Sequence, residues 1–381
     1  MVYSISPGLA ASQHISQDYF ITKQLIYVSL SLMAFAAAAY LPTSWWWRMA
    51  GPLTVVAIAG AVVVMITPIN DLYPAHRWIR LGGFSFQVAE LIKLALLVWV
   101  ARALTIRWRA GVLNDFKTTF RPLLIILLVV GFVVAKLESD FGSAAVIVAI
   151  VILMAYVSGM PMKRVTAIVG LVAVLLALTI ASSAYRRERL STFLHPEASC
   201  QDAGYQACQA LISVGSGGLL GLGLGYSVQA YGYLPEASDD SIFAILAEKF
   251  GFVGTVSIVA LYGAIIVRLK KVIEHTSDQF SRLLVVGVLA WISTQMIINA
   301  GAMLGLLPLK GITLPLVSQG GTSLVFLAAA LGLVFQISRY TSYGRSEPKT
   351  SVNQQINNFS GSDGRRVRRA HNPAFVARPR T

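Results

Sequence analysis

Long apolar runs separated by polar connections make up most of the sequence. A helix that crosses a lipid bilayer needs about 20 mostly apolar residues, and nine runs reach or approach that length. They lie at 24–41, 50–68, 87–104, 122–137, 143–160, 165–184, 241–267, 283–304 and 321–337. The pattern predicts an all-α polytopic integral membrane protein with nine transmembrane helices.

The basic residues predict how these helices are oriented, because Lys and Arg collect in cytoplasmic connections. Clusters of them lie at 102–121, 163–164, 268–282 and after 338. The C-terminus is therefore predicted to be cytoplasmic. The opposite connections, predicted to lie on the outer side, are 69–86, 138–142, 185–240 and 305–320. Nine helices also place the N-terminus outside with no signal peptide before it, so we expect that a first helix is missing or that one weak run is miscounted.

Composition narrows the class of protein further. Hydrophobic residues make up 56% of the chain and charged residues 13%, against about 25% charged in a soluble domain. This balance excludes an ordinary soluble enzyme and disorder of the bulk of the chain. The net charge of +14 makes nucleic-acid binding a rival interpretation, but the apolar runs argue for a membrane and no nucleic acid. Residues 1–340 are expected to form the transmembrane domain, and 341–381 a disordered, basic cytoplasmic tail.

Two ionisable clusters lie at the predicted outer ends of the apolar runs. Glu90 and Lys93 share a helix face at a spacing of three residues, which favours either an ion pair that fixes packing or a polar wall of a ligand cavity. Asp140, in a cluster with Lys136 and Glu138, precedes Gly142 at a helix reversal. It is interpreted either as a helix N-cap or as part of a site.

The long outer segment 185–240 is too long for a passive connection. Its glycine-dense run, 215–225, indicates close approach of the backbone to a helix or a ligand. The segment ends with Glu236, Asp239 and Asp240. Mutual repulsion raises the pKa of at least one of three neighbouring carboxylates, which suits a general base; helix capping by Asp239 or Asp240 is the alternative.

Other outer residues give weaker signals. Arg77 and Arg80 flank Trp78 and are suited to phosphate binding, while Trp78 alone is typical of a membrane interface. His76 has no second His or Cys nearby and gives no metal signature. Cys200 and Cys208 lie on the oxidising side, where a disulfide is one of the alternatives.

Together these motifs resemble the SEDS family (shape, elongation, division and sporulation), polytopic peptidoglycan glycosyltransferases of which FtsW and RodA are the main types. The matching stretches are 77–79, 84–87, 90–93, 140–142, 205–206, 213–218, 223–225, 227–229, 233–237, 240–243, 305–308 and 310–318. The runs Leu234–Ala237 and Lys310–Leu316 resemble the FtsW type more than the RodA type. The resemblance implies ten spans with a large outer loop after the seventh, so that the nine runs here correspond to the second to tenth.

The resemblance also implies the chemistry. Asp240 falls on the family's catalytic aspartate, which acts as base when lipid II is polymerised and undecaprenyl pyrophosphate leaves. The substrate-binding residues are then expected to be Arg77, Trp78, Arg80, Glu90, Lys93, Asp140, Arg189, Glu236, Lys310 and Ser318. No cofactor is required by the sequence, and a divalent cation, Mg²⁺ or Mn²⁺, is left open. The expected partners are a class B penicillin-binding protein and other divisome proteins, at the septum of a bacterial cytoplasmic membrane.

Some positions depart from the family pattern. The family usually has His-Thr before its catalytic aspartate, and this chain has Ser238-Asp239. The second carboxylate leaves a choice between Asp239 and Asp240 as the base, with the alignment favouring Asp240. Three rival functions stay open at this point: a lipid II flippase, a RodA-type elongation polymerase and an inactive scaffold that recruits a partner.

Overall fold

The computed structural model describes residues 17–66, 78–81, 84–134, 140–196, 200–202 and 204–341, together with Ile5. Arg77 and the whole tail beyond Thr341 lie outside these residues, as do Lys136 and Glu138. The described part is mostly helical. In chain order its helices are α1 (Gln17–Tyr40), α2 (Thr43–Ile66), α3 (Val88–Arg109), α4 (Arg121–Phe132), α5 (Phe141–Val157), α6 (Met162–Ala181), α7 (Ala184–Leu194), α8 (Tyr205–Ser216), α9 (Ile242–His275), α10 (Gln279–Met303) and α11 (Thr322–Arg339).

Each of the nine predicted apolar runs overlaps one of these helices, although 67–68 and 135–137 lie outside the described residues. Among the described residues, six helices are long and apolar enough to cross a membrane, namely α1, α2, α6, α9, α10 and α11, and α5 is a shorter apolar helix. The polytopic membrane fold is confirmed. The number of nine spans stays a prediction, because α3, α4 and α5 are not among these six helices.

Helices α3 and α10 form the centre of the bundle. Almost every residue of α3 from Val88 to Thr105 is buried, and α10 is also buried over most of its length. α3 packs against α2, α5 and α10, while α11 packs on α1. The outer helices α1, α2 and α6 instead expose many large apolar side chains. This is the distribution expected when lipid covers the rim of a bundle, since lipid is as apolar as the side chains that face it.

A short antiparallel β-ribbon precedes α3 and corrects the purely helical expectation. Strands β1 (Trp78–Leu81) and β2 (Phe84–Gln87) pair with Trp78 opposite Gln87. The segment is too short for a span, and pairing satisfies its backbone groups where no helix forms. The nitrogen of Gln87 also donates to the Thr322 hydroxyl, at 3.2 Å, which ties the ribbon to the start of α11.

Helix α9 is bent at Gly251, which has φ 63° and ψ −163°. A side chain there is excluded twice, by the positive φ and by the backbone of Leu219 and Gly221, which would lie within 2.6 Å of an added Cβ. Gly217 likewise contacts the carbonyl of Ala247. The predicted close approach of the glycine run is therefore confirmed, and its target is helix α9. The apolar run 241–267 gave no sign of this bend, because the contact that causes it comes from the separate segment around Leu219 and Gly221.

Candidate active site

The turn 235–241, which we call the acidic turn, is held by its own backbone. The carbonyl of Glu236 accepts hydrogen bonds from the nitrogens of Asp239 and Ser241, both at 3.0 Å. The Ser241 hydroxyl donates to the carbonyl of Pro235 at 2.9 Å. Glu236 adopts φ 50°, a conformation that costs of order 1–3 kcal/mol for a residue other than glycine. The turn thus keeps a strained conformation because its hydrogen bonds over-determine it.

Neighbouring elements fix the acidic turn from three directions. From α8, Gln206 donates its side-chain amide to the Ser241 hydroxyl at 3.3 Å. From α10, Asn299 donates its amide to two carbonyls, those of Asp240 and Ile312, each at 2.7 Å. From the segment that precedes α11, Ser318 donates its hydroxyl to the Asp239 carbonyl at 2.6 Å. The backbone that carries both aspartates is therefore anchored through its carbonyl groups.

The acidic turn carries two adjacent aspartates, Asp239 and Asp240. Both are partly exposed, and the Asp239 Oδ1 atom is enclosed without a hydrogen-bond partner. Burial raises the pKa of Asp239 to about 7, the Glu236 carboxylate adds to the rise, and Lys23 on α1 partly offsets it. The predicted rise in one pKa of the cluster thus falls on Asp239. The capping interpretation is wrong, because the N-cap position of α9 belongs to Ser241.

A buried carboxylate about two helical turns further on secures the loop that precedes the acidic turn. Glu248 on α9 is fully buried and accepts hydrogen bonds from the hydroxyls of Ser227, at 2.6 Å, and Ser213, at 3.4 Å. It also accepts from the nitrogens of Val228 and Gln229, at 2.9 and 3.2 Å. A buried carboxylate needs such partners to offset its desolvation. Glu248 therefore joins α8, α9 and the intervening loop into one unit.

The predicted pair Glu90–Lys93 is present as a buried salt bridge. The two side chains are 2.6 Å apart and 3% and 1% exposed, and the ammonium lies 5.2 Å from the ring centre of Trp291. Trp291 donates its indole N–H to Gln295, whose amide donates to Thr313. Positions 291, 295 and 299 are four residues apart on α10, so one helix face leads from the ion pair toward the acidic turn.

Asp140 and Lys310 both lie at the start of α5. Asp140 is buried and caps α5 by accepting from the Ser143 nitrogen at 2.9 Å, so the capping prediction is confirmed. Its other oxygen accepts from the Gln87 amide at 3.2 Å. Lys310 lies 5.1 Å from the ring centre of Phe141. Gly142 allows Ile312 to pack within 2.4 Å of where a Cβ would lie, which brings the 310–318 segment against α5.

The remaining predicted site residues are more dispersed. Trp78 and Arg80 lie in β1, Arg189 is exposed on α7 and Glu236 is exposed on the acidic turn. Ser318 is buried, and its hydroxyl donates to the Asp239 carbonyl and accepts from the Leu314 nitrogen. Cys200, which precedes α8, and Cys208, which lies within it, form a disulfide. Within the part of the chain that the structure describes, no three His, Cys, Asp or Glu side chains are grouped to hold a metal ion.

Sequence reasoning missed the residues that position the acidic turn. Asn299 and Gln295 lie within the apolar run 283–304. Two polar amides inside such a run, four residues apart and therefore on one helix face, could have indicated a functional role. Glu248 lay in another such run. Its partners are 19 to 35 residues away, so its role required the folded structure.

Fold and site together define a polytopic integral membrane protein whose helical bundle supports an anchored turn with two adjacent aspartates. Comparison with known families identifies the group to which it belongs. The family described as "Cell cycle protein", which comprises FtsW, RodA and SpoVE, matches residues 1–343. The chain therefore belongs to the FtsW/RodA/SpoVE family.

Relatives and solved structures agree with this assignment. A protein named "Probable peptidoglycan glycosyltransferase FtsW" from Thioalkalivibrio sulfidiphilus is 38% identical over 90% of this chain and 86% of its own length. The protein of the same name from Coxiella burnetii is 35% identical over 90% of this chain and 92% of its own length. The structure described as "Structural coordination of polymerization and crosslinking by a peptidoglycan synthase complex" has a TM-score of 0.72 and 26% identity, covering 89% of this chain and 94% of that one. Thermus thermophilus RodA has a TM-score of 0.62 and 26% identity, covering 90% and 94%.

Proposed function

We propose that this chain is a peptidoglycan glycosyltransferase that polymerises lipid II, with Asp240 as the general base. The observation that supports it most directly is the anchoring of the acidic turn, in which the Asp240 carbonyl is held by the buried Asn299 amide at 2.7 Å. A base must be held within a fraction of an ångström of the proton that it removes. The names of the relatives, "Probable peptidoglycan glycosyltransferase FtsW", support the reaction class.

The proposed reaction needs one base and one leaving group. Asp240 takes the proton from the 4-hydroxyl of the acceptor sugar while that oxygen attacks the anomeric carbon of the donor. The new glycosidic bond forms as the bond from the anomeric carbon to the pyrophosphate oxygen breaks. Undecaprenyl pyrophosphate leaves with that electron pair, and the proton stays on Asp240. The donor is already activated, so no nucleotide is required.

Basic residues on the predicted outer side are proposed to stabilise the charge of the leaving pyrophosphate. Among the described ones, Lys310 lies in a segment that contacts both α5 and the acidic turn. Arg189 lies on α7, in the outer loop. Arg77 and Arg80, beside Trp78, complete the proposed set. Glu90 and Lys93 are proposed to support this region through their buried ion pair, and Mg²⁺ or Mn²⁺ enters no step.

The proposed partner is a class B penicillin-binding protein that crosslinks the strands made here. Support comes from the structural neighbour whose description combines polymerization and crosslinking in one peptidoglycan synthase complex. The FtsW naming of the relatives supports a place in the divisome at the septum. The C-terminus is proposed to lie in the cytoplasm, because the basic connections collect on that side.

Polymerisation by this chain, purified in complex with its proposed penicillin-binding partner, tests the proposal. With fluorescent lipid II, the parent complex is expected to make glycan strands that are resolved on a gel, and Asp240→Asn is expected to make none because an amide cannot accept the proton. Asp202→Asn is the matched control, since Asp202 is an exposed aspartate of the same outer loop. Equal melting temperatures of the two variants would show that folding is intact.

Other outcomes would replace this proposal. Full polymerisation by Asp240→Asn would contradict its role as base. Movement of labelled lipid II across vesicle membranes without any strand formation would favour the flippase, which needs no base at this position. Localisation of a tagged copy along the side wall instead of the septum would favour a RodA-type elongation role.

A further inference from the structure

The glycine run 215–225 supplies the hydrogen bonds that α9 loses at its bend. The nitrogens of residues 252–253 donate to the carbonyls of residues 218–219, at 2.9 and 3.1 Å. On the other side of the bend, the carbonyls of residues 248–249 accept from the nitrogens of residues 222–223, at 2.9 and 3.0 Å. In a regular helix these nitrogens and carbonyls of α9 would bond to each other. The run therefore takes the place of α9's own bonds and is fixed against it.

The bonded part of α9 lies at one edge of the hydrocarbon core of the membrane. Basic residues at 268–271 follow the apolar part of α9 and mark the opposite edge. A core of about 30 Å takes about 20 residues of helix, so the crossing segment reaches back to about residue 248. Residues 248–253 then extend about 8 Å into the core. The glycine run lies at this depth, on the predicted outer side.

The glycine run leaves four leucine side chains exposed at this depth. Leu219 and Leu220 are 73% and 80% exposed, and Leu222 and Leu224 are exposed as well. The whole stretch 203–235 contains no Asp, Glu, Lys or Arg. A segment without charged side chains avoids the penalty that charges incur in a bilayer. Its composition therefore suits contact with lipid.

The exposed leucines continue the apolar surface that α9 presents to the membrane. Phe252, Val253 and Val256 are exposed on α9, and the nitrogen of Val253 donates to the carbonyl of Leu219. Tyr226 follows the glycine run and is 81% exposed. An amphipathic tyrosine ring is typical of the headgroup level, where one end is apolar and the other is wet. A lipid surface thus accounts for both kinds of exposed side chain.

We propose that the glycine run inserts into the outer leaflet, with Leu219 and Leu220 among the acyl chains and Tyr226 among the headgroups. Interfacial segments bury their apolar side about 5–10 Å into the boundary between headgroups and acyl chains, which agrees with the depth given by α9. Irregular backbone near the core needs partners within the protein, and the four bonds to α9 provide them. The inference goes beyond the proposed function. It attaches to the bilayer the same outer segment that ends in the acidic turn.

Quenching of a fluorescent label tests this inference without any assay of activity. The full-length chain carrying Leu220→Cys would be labelled with bimane, without reductant, so that the Cys200–Cys208 disulfide stays closed. It would be placed in nanodiscs of phosphatidylcholine and phosphatidylglycerol with brominated acyl chains. On α9, Val256→Cys is the control for a label in lipid and Glu274→Cys the control for a label in water. All three positions are exposed, so the substitutions should leave folding intact.

Brominated lipid should quench the label at 220 to within about twofold of the label at 256, and aqueous iodide should quench it at least about fivefold less than the label at 274. A label on Tyr226→Cys should be quenched by brominated lipid less than the label at 220. The reverse order would overturn the placement of the leucines as the deeper residues. Iodide quenching at 220 as strong as at 274 would place the run in water and overturn the inference.

A protein partner is the other occupant that the experiment distinguishes. The label at 220 would be measured in the chain alone and in the complex with the proposed penicillin-binding partner. Quenching by brominated lipid in both samples supports insertion into the bilayer. Exposure to iodide in the chain alone, followed by protection from both quenchers in the complex, would show that a protein covers the leucines and would overturn the inference.

Discussion

The Glu90–Lys93 pair and the acidic turn place ionisable groups in opposite ways. In the first, a carboxylate and an ammonium lie 2.6 Å apart, are almost completely buried and neutralise each other. In the second, carbonyl groups provide the anchoring, and the enclosed oxygen of Asp239 has no partner. The comparison shows two ways of stabilising ionisable groups. In the buried pair, each charge is neutralised by the opposite charge beside it. In the acidic turn, the carboxylates are positioned through a backbone that neighbouring residues hold by hydrogen bonds.

The largest expected effect comes from breaking the buried pair. Lys93→Met leaves the Glu90 carboxylate buried without its cation, which typically costs about 3–5 kcal/mol of stability. The thermal unfolding temperature of the detergent-purified protein should therefore fall strongly. Combining Lys93→Met with Glu90→Gln removes the stranded charge and should restore most of the loss. If the single and double variants melt at the same temperature, the pair does not stabilise the fold in this way.

A smaller effect on stability, with a larger effect on turnover, is expected for the amide that anchors the acidic turn. Asn299→Leu leaves the buried carbonyl of Ile312 without its donor, at a cost of about 1–3 kcal/mol, and also removes the donor to the part-buried carbonyl of Asp240. Because the base then moves, kcat should fall at least about tenfold while KM changes less. Gln336→Leu is the control, since Gln336 is a buried amide near the far end of α11. A change in stability with unaltered kcat would contradict a positioning role.

Local patterns in the sequence predicted much of this structure. Apolar length predicted the helices, a spacing of three predicted the Glu90–Lys93 pair, and the turn before Gly142 predicted the Asp140 cap. Each depends on residues that lie within a few positions of one another. The predicted disulfide alternative, Cys200 with Cys208, is also local and is present.

Features that depend on distant contacts were not predicted. The bend at Gly251 exists because the backbone near Gly221 occupies the space beside it. Asn299 reaches Asp240 from 59 residues away, and the Ser318 hydroxyl reaches Asp239 from 79 residues away. Periodicity and spacing carry no information about such pairs. The identity of the base is likewise an inference from resemblance and geometry together.

The smallest expected effects concern the charges that tune Asp239. Its folded-state pKa is raised, so the folded protein holds this proton more tightly than the unfolded chain, and stability falls as pH rises from about 4 to about 7. Glu236→Gln removes a repulsive charge and should move this transition to lower pH. Lys23→Met removes an attractive one and should move it to higher pH. The measurement is the unfolding temperature of each variant between pH 4 and pH 9, compared with the same protein carrying Asp239→Asn. Shifts in the same direction, or a transition that survives in Asp239→Asn, would assign the titration to another group.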